Sequence, residues 1–331
     1  MSEHANQPQG TPERRNFLKT VALGSLSFIL PSSLMPLFGN SLSPIRFGLI
    51  TDLHKDIIHD AEDRLATFLE HMEQENPHAL IQMGDFAIPS EKNMDFIGKY
   101  SKSHPLAMHV LGNHDMDEGF SKATVVNAYG MPAPYYSLSV QGVNVIVLDG
   151  NEEGSPTYTS GYPSYIGKQQ QAWLKDQLES SHEPILLVSH QPLAGIYTLD
   201  NAQEIRALLQ PFASKIIAAI NGHAHVDQMI YEEGIHYLHL NSASYYWVGQ
   251  KHSHLSLSPD IHDHFPSLSL TCPYRDPLFA LLSIDPQQRT LTLTGRQTEW
   301  VGPSPAQLGY SILTKEEQER YLQPKISSRS V

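Results

Sequence analysis

Residues 220–225 read INGHAH and set His223 and His225 two positions apart, directly behind the apolar run 216–220. Two neutral nitrogen donors delivered at a strand end suit a transition-metal site, although a lone His-x-His also describes a pair of hydrogen-bonded loop histidines. Company decides between the two. Thr51-Asp52-Leu53-His54 follows Ile50, Gly84-Asp85 follows Met83, Gly112-Asn113-His114-Asp115 follows Leu111, and Ser189-His190 follows Val188. Each string alone is common. Five in order, each ending an apolar run, gather carboxylate, imidazole and amide donors where open α/β sheets hold their ligands, beyond the carboxyl ends of the strands. Eighteen histidines against the single Cys272 exclude zinc fingers, cysteine clusters and intrachain disulfides, so any metal must be held by nitrogen and oxygen.

The runs that would position these donors are short and apolar: 46–50, 79–83, 106–111, 185–188 and 216–220 read as strands covered on both faces. Helical spacing lies between them. Leu65, Phe68, Leu69 and Met72 mark one helix, Met94, Ile97 and Tyr100 a second beginning at Ser90, Trp173, Leu174 and Leu178 a third, and Ile205, Leu208, Leu209 and Phe212 a fourth. Residues 135–140 and 143–148, split by Gln141-Gly142, read as a hairpin. The alternation predicts an α/β protein with antiparallel additions. A domain over residues 44–302 is expected, with a His-rich insertion at about 245–275 read as a long loop, then a closing hairpin near 278–294 and a polar tail over 303–331 carrying one helical patch at 315–322.

At 331 residues the chain can bury a substantial core. Its formal net charge of −13 argues against a basic track for duplex nucleic acid, because such binding relies on Lys and Arg neutralising phosphates. An anionic substrate must then be drawn by a local cationic feature. Residues 1–39 read as an address. Arg14-Arg15-Asn16-Phe17-Leu18-Lys19 resembles the twin-arginine export signal, with Glu13 where that signal commonly carries Ser or Thr, and an apolar stretch over 21–30 follows. Ten apolar residues fall short of the about 20 needed to span a bilayer, so no stable transmembrane segment is expected. The signal implies the twin-arginine translocation machinery as a partner, cleavage near Gly39 and a periplasmic or extracellular location. An uncleaved anchor or an amphipathic arm is the other reading of this segment.

Asp52-x-His54, Gly84-Asp85, Gly112-Asn113-His114-Asp115, His190 and Gly222-His223-x-His225 together resemble the ordered motif set of the calcineurin-like metallophosphoesterases, over about residues 45–301. The hairpin ending in Val147-Leu148-Asp149 and the Gln170-x-x-Trp173-Leu174 helix are similar to the same family. The resemblance implies a β-sandwich flanked by helices, in four layers α/β/β/α. It implies one metal held by Asp52, His54, Asp85 and His225 and a second by Asp85, Asn113, His190 and His223, with Asp85 shared and Gly222 allowing the backbone to bend tightly. Two divalent or trivalent transition-metal ions, Mn, Fe or Zn, suit such ligands. Two divalent ions bring about +4 and the two aspartates return about −2, leaving a cationic centre on an acidic protein. The implied reaction is direct attack by a metal-bridging hydroxide, with His114 protonating the leaving group and Asp115 orienting or charging His114 through a hydrogen bond.

The expected function is therefore an exported dimetal phosphoesterase acting on a small-molecule phosphodiester or phosphomonoester. A nucleotide or cyclic nucleotide phosphodiesterase is the favoured form, and a pyrophosphate-cleaving enzyme or a phosphomonoesterase stands beside it. A cell-envelope module that merely binds a phosphate ligand on the same fold is the alternative, although Asp85 and His114, which such modules usually lose, are present. A serine hydrolase built on Ser189 and His190 is excluded: there is no G-x-S-x-G elbow, and adjacent strand residues face opposite ways.

Overall fold

A computed structural model describes residues 44–331, and the expected export signal at 1–39 lies outside them. The first part alternates strand and helix: β1 (Ile45–Ile50), α1 (Ala61–Glu75), β2 (Ala79–Gln82), α2 (Met94–Ser101), β3 (Ala107–His109) and α3 (Lys122–Tyr129). A hairpin of β4 (Tyr136–Val140) and β5 (Val143–Val147) leads to α4 (Lys168–Ser180), β6 (Ile185–Ser189), α5 (Ala202–Leu209) and β7 (Ile216–Asn221). Then come β8 (Gln228–Glu232), β9 (Ile235–His239), β10 (Tyr245–Trp247), α6 (Pro259–His264) and β11 (Thr271–Pro273). The chain closes with β12 (Ala280–Asp285), β13 (Thr290–Thr294), α7 (Lys315–Tyr321) and β14 (Arg329–Ser330).

Two six-stranded mixed sheets result, ordered β14-β13-β12-β1-β2-β3 and β4-β5-β6-β7-β9-β8. The strands that carry the site motifs are parallel neighbours: β1, β2 and β3 in one sheet, β6 and β7 in the other. Side-chain alternation along each strand builds the layers. Phe47 and Leu49 of β1 face Val145, Val147, Leu186 and Val188 in a core between the sheets. Ile50 and Leu80 turn outward onto Leu65, Phe68 and Ile97 of α1 and α2. Ile146 and Leu187 turn outward in the second sheet, onto Leu174 and Leu178 of α4 and Ile205 of α5. The protein is thus a β-sandwich with helices on both outer faces, the four-layer arrangement expected.

Three departures have local causes. The helix expected from Ser90 starts at Met94, after a 3-10 turn at Glu91–Asn93. The β8–β9 hairpin was not read from the sequence, yet Glu233 and Gly234 at its tip have φ of 55° and 83°, the paired positive values of the two-residue turn that matches strand twist. The segment expected as a long loop folds as β10 paired with β11, with α6 between them.

Residues beyond 303 return to the sandwich. β14 pairs with β13 at the sheet edge. Arg329 Nη2 lies 2.7 Å from Asp227 Oδ1, and Ser327 donates its N–H to the same carboxylate at 3.1 Å, which clamps the loop that follows His225. Asp227 is buried, so losing a charged partner leaves a desolvated carboxylate. Arg329→Ala should lower unfolding free energy by about 2 kcal/mol. Lys315→Ala, which removes an exposed pairing with Glu319, should change it by less than about 0.5 kcal/mol, both read by chemical denaturation.

Candidate metal centre

The parallel strands bring all seven expected ligands to one end of the sandwich. Asp52 and His54 follow β1, Asp85 follows β2, Asn113 follows β3, His190 follows β6, and His223 and His225 follow β7. Five of them turn inward by taking left-handed backbone: φ is 51° at Asp52, 54° at His54, 53° at Asp85, 63° at His223 and 50° at His225. For residues with a Cβ this costs on the order of 1 kcal/mol or more each and persists only where the surroundings over-determine it. Cross-strand hydrogen bonds do so here. The Asp52 N–H donates to Gly84 O at 3.0 Å and the His54 N–H to Asp85 O at 2.9 Å. Gly84 has φ +97°, and a Cβ there would enter the His190 ring. Gly222 is required for another reason than the tight bend expected of it: a Cβ would collide with the side chains of Thr51 and Asp52.

The donors form two groups, Asp52 with His54 and His225, and Asp85 with His190 and His223. His225 Nε2 lies 3.1 Å from Asp52 Oδ1 and 3.4 Å from His54 Nε2. His223 Nδ1 lies 3.2 Å from His190 Nε2. Asp85 joins the groups. Its Oδ1 accepts the His114 backbone N–H at 2.8 Å, while Oδ2 sits 3.1 Å from His190 Nε2 and 3.7 Å from His54 Nε2. Tautomers are set from behind. His190 Nδ1 faces Met83 O and His225 Nδ1 faces Tyr245 O, each at 2.8 Å, so Nδ1 carries a proton and Nε2 is the nitrogen turned into the centre.

The donor chemistry fits two divalent metals. Asn113 is buried and its Oδ1 has no hydrogen-bond partner, an orphaned acceptor that a cation would satisfy. Burial opposes charge on Asp52 and Asp85, yet the neighbouring imidazoles hold Asp52 down at about 2 and Asp85 well below the usual carboxylate range. Burial lowers His54 and His223 to about 3, leaving them neutral donors. His190 is pushed up to about 9: its burial is outweighed by Asp85 and Asp52. Two ionised carboxylates therefore demand positive charge, which a protonated His190 supplies only in part.

The expected contact between Asp115 and His114 is not made. Asp115 is buried and accepts three backbone N–H groups, from Phe86 at 2.7 Å, Gly112 at 2.8 Å and Asp85 at 3.2 Å. It ties the β2 and β3 loops together, and its carboxyl is raised to about 7 by burial and the Asp85 charge. The residue that engages His114 is Asp117, whose Oδ2 lies 2.7 Å from His114 Nδ1. Tyr162 completes the group, donating to Asp117 Oδ1 at 2.7 Å. Burial lowers the His114 pKa, but Asp85 and Asp117 outweigh it and bring it to about 8. Sequence reasoning missed Asp117 because a 3-10 turn, not strand geometry, places it beside His114. It also missed the aromatic residues Tyr162, Tyr197, Tyr245, Tyr246, Trp247 and Tyr310, which line a cavity of about 260 Å³ against the centre. The string Tyr245-Tyr246-Trp247 was the one visible signal.

A two-sheet sandwich with paired His/Asp donor groups at its strand ends agrees with a metal-dependent phosphoesterase. The chain belongs to the calcineurin-like phosphoesterase family, whose model matches residues 45–227, over half its length. That match ends just after the His223 and His225 turn. Solved structures with this fold include a dimetal phosphatase from Danio rerio, 16% identical, with a TM-score of 0.54 over 78% of this chain and 99% of that one. They also include GAP50, the anchor in the inner membrane complex of Plasmodium, 15% identical, with a TM-score of 0.52 over 78% and 89%. At such identities the likeness is one of fold. No curated protein matches the chain.

Two aspartates separate by role. Asp85→Asn should cost at least one equivalent of bound metal and most activity, measured by elemental analysis beside turnover. Asp115→Asn replaces an acceptor of three N–H groups by an amide that must turn a donor toward one of them, and should cost about 2 kcal/mol in denaturation. Full activity with two metals in Asp85→Asn is the outcome that removes its shared role.

Proposed function

We propose that the chain is an exported dimetal phosphoesterase that hydrolyses phosphodiester or phosphomonoester bonds, with nucleotides or cyclic nucleotides as the favoured substrates and Mn, Fe or Zn as the metals. The observation that carries this reading is the shared Asp85 carboxylate, one oxygen of which faces both donor groups while the other holds the backbone of His114. Asp52, His54, Asp85 and His225 on one side and Asp85, Asn113, His190 and His223 on the other would hold two such cations, which would supply Lewis acidity and a water of lowered pKa.

The chain's own residues supply the rest. Asp117 holds the proton on His114 Nδ1, which leaves Nε2 as the nitrogen free to serve the cavity it lines. As an imidazolium, His114 offsets developing negative charge and donates a proton to the departing alkoxide. Asp115 acts through the loops it ties, not on His114. The sign of the pH dependence follows: Asp117 favours the protonated, competent form, which predominates below the His114 pKa and is lost as pH rises through it. Asp117→Asn removes the carboxylate that helps raise it, and should move this alkaline limb to lower pH.

General acid catalysis is typically worth about 10² to 10⁴-fold, and a leaving group stable as an anion needs little of it. His114→Ala should therefore keep both metals yet slow alkyl phosphates far more than nitrophenyl esters, whereas His223→Ala should lose metal and slow both. Equal metal content and equal leaving-group profiles in the two variants would remove His114 as the acid. Phosphate binding by the metal-loaded protein with no turnover of any ester would favour the binding-module reading instead. Export is tested separately: Arg14→Lys with Arg15→Lys should strand folded protein in the cytoplasm, and unchanged export in fractionated cells would refute the twin-arginine route.

A further inference from the structure

The cavity beside the metal donors carries features that phosphoester hydrolysis does not require. Its aromatic side chains come from separate segments: Tyr162 precedes α4, Tyr197 lies between β6 and α5, Tyr245 to Trp247 form β10, and Tyr310 precedes α7. Large aromatic rings normally bury most of their surface, yet Tyr162, Tyr197 and Trp247 are 45%, 50% and 39% exposed around this one mouth. Tyr162 packs on His114 with ring centroids 4.9 Å apart, and Tyr197 stands edge-on to His223 at 6.5 Å. Tyr197 also holds φ at 52°, a strained value for a bulky residue of the kind that clusters at ligand sites. Beneath them Tyr245 is 1% exposed and its hydroxyl has no hydrogen-bond partner.

Charge narrows the occupant. Among the described residues that line the cavity there is no lysine or arginine to meet a second phosphoryl group. A di- or triphosphate chain recruits further charge-assisted donors, usually several. A volume of about 260 Å³ suits one ring system rather than a long substituent.

We propose that this cavity selects phosphoesters with one phosphoryl group and a flat, uncharged aromatic ring, a nucleobase or an aryl group, and that Trp247 is a specificity-determining residue. This rests on the phosphoesterase reading and names its substrate class. Trp247, Tyr245 and Tyr310 lie beyond residue 227, where the family match ends, and Tyr162 and Tyr197 lie within it, so the wall joins both parts of the chain.

The test compares benzyl phosphate with cyclohexylmethyl phosphate, and the methyl diesters of both, on the metal-loaded protein. The two alcohols have similar acidity, so their ratio of kcat/KM reports ring shape and not leaving-group chemistry. Stacking on an aromatic side chain predicts a preference of about 10-fold or more for the flat ring. Trp247→Ala or Tyr197→Ala should bring the ratio toward one, and Trp247→Phe should restore it. A wild-type ratio near one, or a ratio unmoved by both alanine variants, overturns the proposal while leaving the phosphoesterase reading intact. If no ester is turned over with two metals bound, that reading fails instead, and calorimetric binding of the same two phosphates decides the pocket by the same ratio. Adenosine 5′-monophosphate against ribose 5-phosphate then separates a nucleobase source from an aryl one. Faster hydrolysis of adenosine diphosphate than of the monophosphate would refute the single-phosphoryl limit.

Discussion

Two carboxylates, Asp52 and Asp85, are buried together at the joined ends of the two sheets, and the structure is organised around the charge this concentrates. Neither aspartate is paired with a lysine or arginine among the described residues, and the groups that face them are imidazoles. Isolated ionised carboxylates in such surroundings would be strongly disfavoured, so they call for cations of compact size. Five ligands accept left-handed backbone to meet there, which is the cost of aiming donors from different strands into one small volume.

That cost is offset by how rigidly the strand ends are tied. The Asp115 carboxylate spans the β2 and β3 loops through three N–H groups, and glycines at 84 and 222 leave no room for a side chain where the loops meet. The carboxy-terminal residues contribute as well, since Ser327 and Arg329 secure Asp227 two positions after His225. The donor groups are thus held by both sheets at once, while the aromatic cavity is assembled from loops and the short strand β10. Separating the two lets one centre serve different esters, because a loop can change the wall without disturbing the donors.

The acidic surface and the centre act in opposite senses. A net charge of −13 repels anions at long range, and at 0.15 M salt that field is screened beyond about 8 Å. Close to the donors, cations held by the His/Asp groups would supply the attraction for a phosphoryl group, with His114 beside them. The pairing of His114 with Asp117 and Tyr162 fixes the imidazole at that mouth.

The ligand strings and the strands that carry them were legible because both signals are local: an apolar run covered on both faces, then polar residues at its end. Fold class followed from the same alternation, as did the places of Asp52, His54, Asp85, Asn113, His190, His223 and His225 at one edge. The β8–β9 hairpin was missed because β8 is half-exposed and weakly patterned, and the pairing of β10 with β11 because its partners are 24 residues apart at their nearest ends. Which acid serves His114 was not readable at all. Asp115 is adjacent in sequence, but a 3-10 turn sends its carboxylate toward backbone N–H groups and brings Asp117 round instead. Likewise no spacing rule links Tyr162, Tyr197, Trp247 and Tyr310. The sequence by itself placed the candidate donors, since all seven follow five locally legible apolar strands. The tertiary structure alone decided the acid's partner and the shape of the cavity, because those depend on distant segments packing against one another.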